Sequence, residues 1–111
     1  MRRLAVFLAI VLSATAAFAH QLNVFAFVEG DTVVVETKFS SGRIPVSGDV
    51  EVSDATSEVI MMLQLQEDGT VRFPLDMDVA ADGLMIEVST GDGHSDYWIL
   101  TPDDISNGSG S

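Results

Sequence analysis

The chain has 111 residues, 47% of them hydrophobic, no cysteine, and 17 acidic residues against 5 lysines and arginines, a formal net charge of -12 at pH 7. That length holds one domain and leaves no room for an enzyme with a separate cofactor domain. A surface this acidic repels nucleic-acid phosphates, and the lack of cysteine removes disulfide frameworks and thiolate metal sites.

The first nineteen residues have the layout of a secretory signal peptide. Met1-Arg2-Arg3 is a basic start, residues 4–12 are an unbroken apolar run, and Ala17-Phe18-Ala19 places small residues three and one positions before His20. The apolar stretch is shorter than the ~20 residues of a spanning helix, so residues 1–19 are expected to be cut off, with an uncleaved anchor as the alternative. The expected location is periplasmic or otherwise extracytoplasmic, membrane-anchored if the segment stays. From His20 onward, Lys38, Arg43 and Arg72 are the only fixed positive charges against all 17 acids, a formal -14.

The region after His20 alternates apolar and polar residues with period two, as half-buried strands do. Val33, Val35 and Phe39 share one face while Glu36 and Lys38 take the other; Val50 and Val52 flank Glu51; Val71, Phe73 and Leu75 alternate with Arg72; Leu84, Ile86 and Val88 alternate with Glu87. Two segments, 22–28 and 59–65, are apolar on both faces and are expected to be central or covered. Glu29-Gly30-Asp31, Asp68-Gly69, Asp82-Gly83 and Gly91-Asp92-Gly93 mark turns. The pattern predicts seven strands over 21–28, 32–40, 48–53, 58–66, 70–75, 83–90 and 95–101. This is an all-β fold, an antiparallel seven-stranded β-sandwich of immunoglobulin-like or transthyretin-like type spanning 20–101. Residues 102–111, ending Ser-Asn-Gly-Ser-Gly-Ser, are expected to form a disordered tail.

The sequence carries no nucleophile-elbow pattern, phosphate loop, His-Glu-x-x-His or EF-hand spacing, so no enzymatic activity is expected. Asp76 and Asp78 form an Asp-x-Asp pair that suits either a Ca²⁺ ion with further oxygens or a solvated connection. The histidines are the stronger candidates. Cleavage after Ala19 would leave the α-amino nitrogen and imidazole of His20 as one small chelate ring, suited to Cu²⁺ or Ni²⁺. If every strand reverses direction, strands one and seven begin at the same end. His20 then comes near Asp92 and His94, and near Glu67-Asp68. The alternatives are a loop histidine capping backbone at 94 and a frayed terminal residue at 20. Met61, Met62, Met77 and Met85 are soft ligands for Cu(I) or core filler. Of Tyr97 and Trp98, alternation turns one ring outward as a partner contact.

Residues 19–31, then Val33-Val34-Val35-Glu36, Phe39-Ser40-Ser41-Gly42-Arg43 and Gly91-Asp92-Gly93-His94 resemble a family of small exported proteins. These are accessory proteins of energy-coupling-factor-type nickel and cobalt uptake transporters, of the NikL type. Residues 48–54 and 67–75 are similar to the transthyretin-like unit of their carboxypeptidase-regulatory-like domain. One departure is the turn after Asp54, which reads Ala-Thr-Ser where the family commonly carries Gly. The resemblance implies a role outside the membrane beside a permease that admits Ni²⁺ or Co²⁺ as cargo, with His20 and His94 as functional positions. Two other readings stay open: a structural adaptor that contacts the permease without binding metal, through strand edges or the Trp98 face, and a periplasmic copper-handling domain.

Overall fold

The computed structural model describes residues 21–109. The expected signal peptide, His20 and residues 110–111 lie outside the described residues. Period-two alternation becomes seven strands: β1 (Leu22–Glu29), β2 (Thr32–Phe39), β3 (Asp49–Asp54), β4 (Val59–Gln64), β5 (Thr70–Pro74), β6 (Leu84–Ser89) and β7 (Ser95–Leu100). Two helices, α1 (Met77–Ala80) and α2 (Pro102–Ser109), complete the described part. The strands form two antiparallel sheets in the orders β1-β2-β5 and β4-β3-β6-β7. Their limits lie within two residues of those read from the sequence. Among the described residues no helix is long and apolar enough to cross a membrane.

The inward faces meet as one core. Val33 and Val35 of the three-stranded sheet, and Val50, Val52, Ile86 and Val88 of the four-stranded sheet, are all fully buried. Each such side chain contributes about 1.5–3 kcal/mol relative to exposure. The polar partners of the alternation, Glu36, Lys38 and Arg72, point outward.

The two doubly apolar strands are neither central nor alike. Both β1 and β4 are edge strands. β1 is covered along its free edge, where the Val24 N–H donates to Asp96 Oδ2 of β7 at 2.9 Å. β4 is left open, with Val59 46% and Met62 62% exposed. Its pairing shifts register, since Val52 faces Met61 and Ser53 faces Val59. Ile60 is thus the extra residue of a bulge, a common way to twist a sheet edge out of line.

The β3–β4 turn works without its glycine. Ser57 takes the left-handed conformation at φ 72°, and Asp54 Oδ1 accepts from Thr56 N, Thr56 Oγ1 and Glu58 N at 2.9, 2.6 and 3.0 Å. One carboxylate organises the turn that a glycine would otherwise ease.

The segment expected to be a disordered tail instead carries α2. Thr101 N donates to Asp104 Oδ2 at 3.0 Å while Asp104 N donates to Thr101 Oγ1 at 3.1 Å, a reciprocal cap. Pro102 occupies the first helical position, where its missing N–H costs nothing. Ile105, the segment's one large apolar side chain, is fully buried. Gly108 permits the docking: a Cβ there would stand 2.6 Å from both Cβ and the carbonyl oxygen of Val28.

Candidate functional site

One end of the sandwich collects the start of β1 and the β2–β3, β4–β5 and β6–β7 connections. Gln21 exchanges bonds with Ser40: Ser40 N donates to its carbonyl at 2.7 Å, and Gln21 N donates to Ser40 Oγ at 3.0 Å. Leu22 pairs with Phe39. The His94 ring meets Phe39 edge-on, with centroids 5.4 Å apart at 75°. The beginnings of β1 and β7 therefore share this end.

The β6–β7 turn is built around Asp92. Thr90 N donates to the His94 carbonyl at 2.9 Å, and the Thr90 hydroxyl makes a very short bond to Asp92 Oδ1. The same oxygen lies 2.9 Å from His94 Nδ1, an ion-pair distance when the imidazole is protonated. The Thr90 hydroxyl first, and His94 second, hold the Asp92 carboxyl well below the usual carboxylate range. The side chains of His94 and Asp92 are 31% and 52% exposed. A carboxylate against one imidazole nitrogen fixes the ring and leaves the other, Nε2, for a metal ion or a proton.

Of the positions singled out in the sequence, Asp92 and His94 come together, with the carboxylate behind the ring. His20 lies outside the described residues. Glu67 and Asp68 stand at the same end but do not join them, because among the described residues no three His, Asp or Glu side chains gather in a metal-binding group. Asp68 Oδ1 accepts instead from Thr70 N and Thr70 Oγ1 at 3.1 and 2.7 Å. The Thr70 hydroxyl is the chief cause of its lowered pKa.

A groove of about 320 Å³ runs beside the turn, lined in part by Phe39, Arg43, Pro45, Thr90 and Asp92. The Arg43 guanidinium stands 5.7 Å from the centroid of the Phe39 ring that His94 touches. Neither Phe39 as a neighbour of His94 nor Arg43 as a neighbour of Phe39 was distinguishable from sequence. Phe39 reads there only as the last apolar residue of a strand.

Other candidates find plainer roles. Asp76 Oδ1 accepts from Asp78 N at 2.9 Å and caps α1, so the Asp-x-Asp pair is a helix start. The methionines divide: Met61 packs against the core, whereas Met62 and Met77 are 62% and 47% exposed. Tyr97 turns outward, and Trp98 packs inward against the core. The outward-facing ring is therefore Tyr97, not Trp98. Comparison with family models, curated proteins and solved structures returns no match.

Proposed function

We propose that the protein is an extracytoplasmic accessory component of a nickel or cobalt uptake transporter, binding the divalent ion and presenting it to a membrane permease. The observation that carries this reading is His94, backed by Asp92 and packed on Phe39, at the end where β1 begins. His20 is joined to Gln21, and consecutive Cα atoms are about 3.8 Å apart. Cleavage after Ala19 would free an amino group and an imidazole on the residue preceding Gln21, which is itself bonded to Ser40 at this end. Three nitrogens suit Ni²⁺ and Co²⁺, and the acidic domain attracts cations in general. The order β1-β2-β5 against β4-β3-β6-β7 favours the immunoglobulin-like over the transthyretin-like variant, since the second strand pairs the fifth and the third pairs the sixth.

The test is calorimetry with Ni²⁺, Co²⁺, Cu²⁺ and Zn²⁺ on protein beginning at His20, beside a control with one extra N-terminal residue and the His94→Ala variant. The expected result is one-to-one binding at micromolar affinity or tighter, abolished in the control and weakened in the variant. Preference for Cu²⁺ beyond its ordinary advantage would move the reading to copper handling. Absence of binding in every form would leave the adaptor, for which Tyr97 and Ile99, 55% and 53% exposed on the outer face of β7, supply a contact surface.

A further inference from the structure

Among the described strands, β4 has a free edge that is neither covered nor blunted by charge. β1 and β7 close one side of the sandwich on each other through the bond between Val24 and Asp96. β5, at the other open edge, carries Arg72 and ends in Pro74, and charge and proline both discourage pairing. Residues 59–66, in contrast, read Val-Ile-Met-Met-Leu-Gln-Leu-Gln, without charge or proline in a chain of formal -14 from His20 onward.

The ladder with β3 fixes which backbone groups of this edge are unpaired. Leu65 N donates to the Gly48 carbonyl at 2.9 Å. The same register sets Asp49 opposite Gln64, Val50 opposite Leu63, Glu51 opposite Met62 and Val52 opposite Met61. Hydrogen-bonded and non-hydrogen-bonded pairs alternate in an antiparallel ladder. Leu65, Leu63 and Met61 therefore bond to β3, whereas the N–H and C=O of Met62 and Gln64 point out of the sheet edge. The bulge at Ile60 interrupts pairing at the start of the strand and leaves this half regular.

We propose that two copies of the protein pair antiparallel along β4, with the two-fold axis at Leu63, so that their four-stranded sheets become one continuous sheet. Met62 of each copy then exchanges both main-chain bonds with Gln64 of the other, and the two half-buried Leu63 side chains meet at the closer, non-hydrogen-bonded position. Charge selects a second copy on this edge. Glu51 of one copy and Asp49 of the other flank the new pair three strand spacings apart, about 14 Å, which exceeds the ~8 Å Debye length at physiological salt. Approach through the outer face, where Glu51 and Glu87 stand side by side, sets carboxylates against carboxylates. The contact is small beside the ~1,200 Å² at which stable interfaces begin, so the dimer is weak, with a dissociation constant on the order of 100 μM. The inference does not depend on the metal reading, since it shares no residue with it.

The experiment is sedimentation equilibrium of the folded protein from about 10 μM to about 1 mM, in low and high sodium chloride, with amide hydrogen exchange followed residue by residue at both ends of the range. The expected result is a reversible monomer–dimer equilibrium, about tenfold tighter in high salt because repulsion between the acidic copies is screened. Exchange at the Met62 and Gln64 amides should slow as concentration rises, while Met61 and Leu63, already bonded to β3, change little. Met62→Pro removes an N–H that takes no part in the ladder with β3, and should weaken association at least about tenfold with the β circular-dichroism spectrum retained. If that variant does not fold, Met62→Glu, which sets carboxylates across the two-fold axis, decides. A protein that stays monomeric to about 1 mM in high salt overturns the proposal. So does a dimer whose Met62 and Gln64 amides gain no protection, or one that survives undiminished in the folded variant.

Discussion

A single carboxylate oxygen, Asp92 Oδ1, holds both the β6–β7 turn and the His94 ring. Two substitutions separate those duties. Asp92→Asn keeps an acceptor for the Thr90 hydroxyl but removes the negative charge behind the imidazole. If His94 binds metal, affinity should fall about 10- to 100-fold in calorimetry while the fold stays intact. Arg43→Gln should act in the opposite direction. Removing a cation held over the ring that His94 touches should tighten binding about two- to fourfold at low salt and hardly at all at high salt. Asp92 and His94 were visible in the sequence because the Gly-Asp-Gly-His turn is local. The Phe39 and Arg43 neighbours were not, since they come from a strand end and loop more than fifty positions earlier. Gly69 illustrates the same limit: it reads as an ordinary turn glycine, yet at φ +77° a Cβ would stand 2.5 Å from Ile44 Cγ2 and 3.1 Å from Thr37 Oγ1. Gly69→Ala should cost about 1–3 kcal/mol in urea unfolding, from backbone strain and the displaced loop together.

At the scale of elements, the strands were legible because each buries one face, and burial of one face writes itself into the sequence as period two. What period two does not record is which strands pair. β1 and β4 have similar doubly apolar sequences and both stand at sheet edges, but β1 has β7 and α2 beside it, whereas β4 keeps Met62 in solvent. α2 escaped notice for a different reason. Its composition is poor for a helix, and its stability rests on tertiary contacts. The local signals were Thr101-Pro102-Asp103-Asp104, a cap with proline at the first position, followed by Ile105. If docking of Ile105 sustains the element, Ile105→Ala should cost about 2–5 kcal/mol. Gly108→Val should undock the helix through its clash with Val28. In both variants Trp98 fluorescence should shift to the red as the corner opens. An unshifted spectrum with undiminished stability would show that α2 contributes nothing to the core.

Across the whole molecule, charge is distributed unevenly. Lys38 and Arg72 lie on β2 and β5, and Arg43 follows β2, so the β strands of the four-stranded sheet carry no lysine or arginine. Glu51 and Glu87 face each other directly in that sheet, an arrangement that destabilises by like-charge repulsion. Two opposed pH effects follow. The large net negative charge repels itself in the compact state, and that repulsion weakens as the net charge falls toward the acid range. Asp54, Asp68 and Asp92 act the other way. Each has its pKa lowered below the ordinary 3.8, chiefly by a threonine hydroxyl: Thr56, Thr70 and Thr90 respectively. A carboxyl whose pKa is lower in the folded than in the unfolded state stabilises the fold fully above its unfolded value. That contribution is lost as pH falls through 3.8 toward the lowered values. Thermal unfolding followed from pH 7 to pH 2 should therefore show Tm rising gently to a maximum near pH 4–5 and then falling. Added sodium chloride should raise Tm at pH 7, where repulsion is unrelieved, and have less effect near the maximum. A variant with Asn at positions 54, 68 and 92 keeps acceptors for the three hydroxyls but has no carboxyl to protonate there, so its acid limb should be shallower. A Tm that climbs steadily to pH 2, or an acid limb unchanged in the triple variant, would show that self-repulsion alone governs the pH response and that the three turns contribute nothing to it.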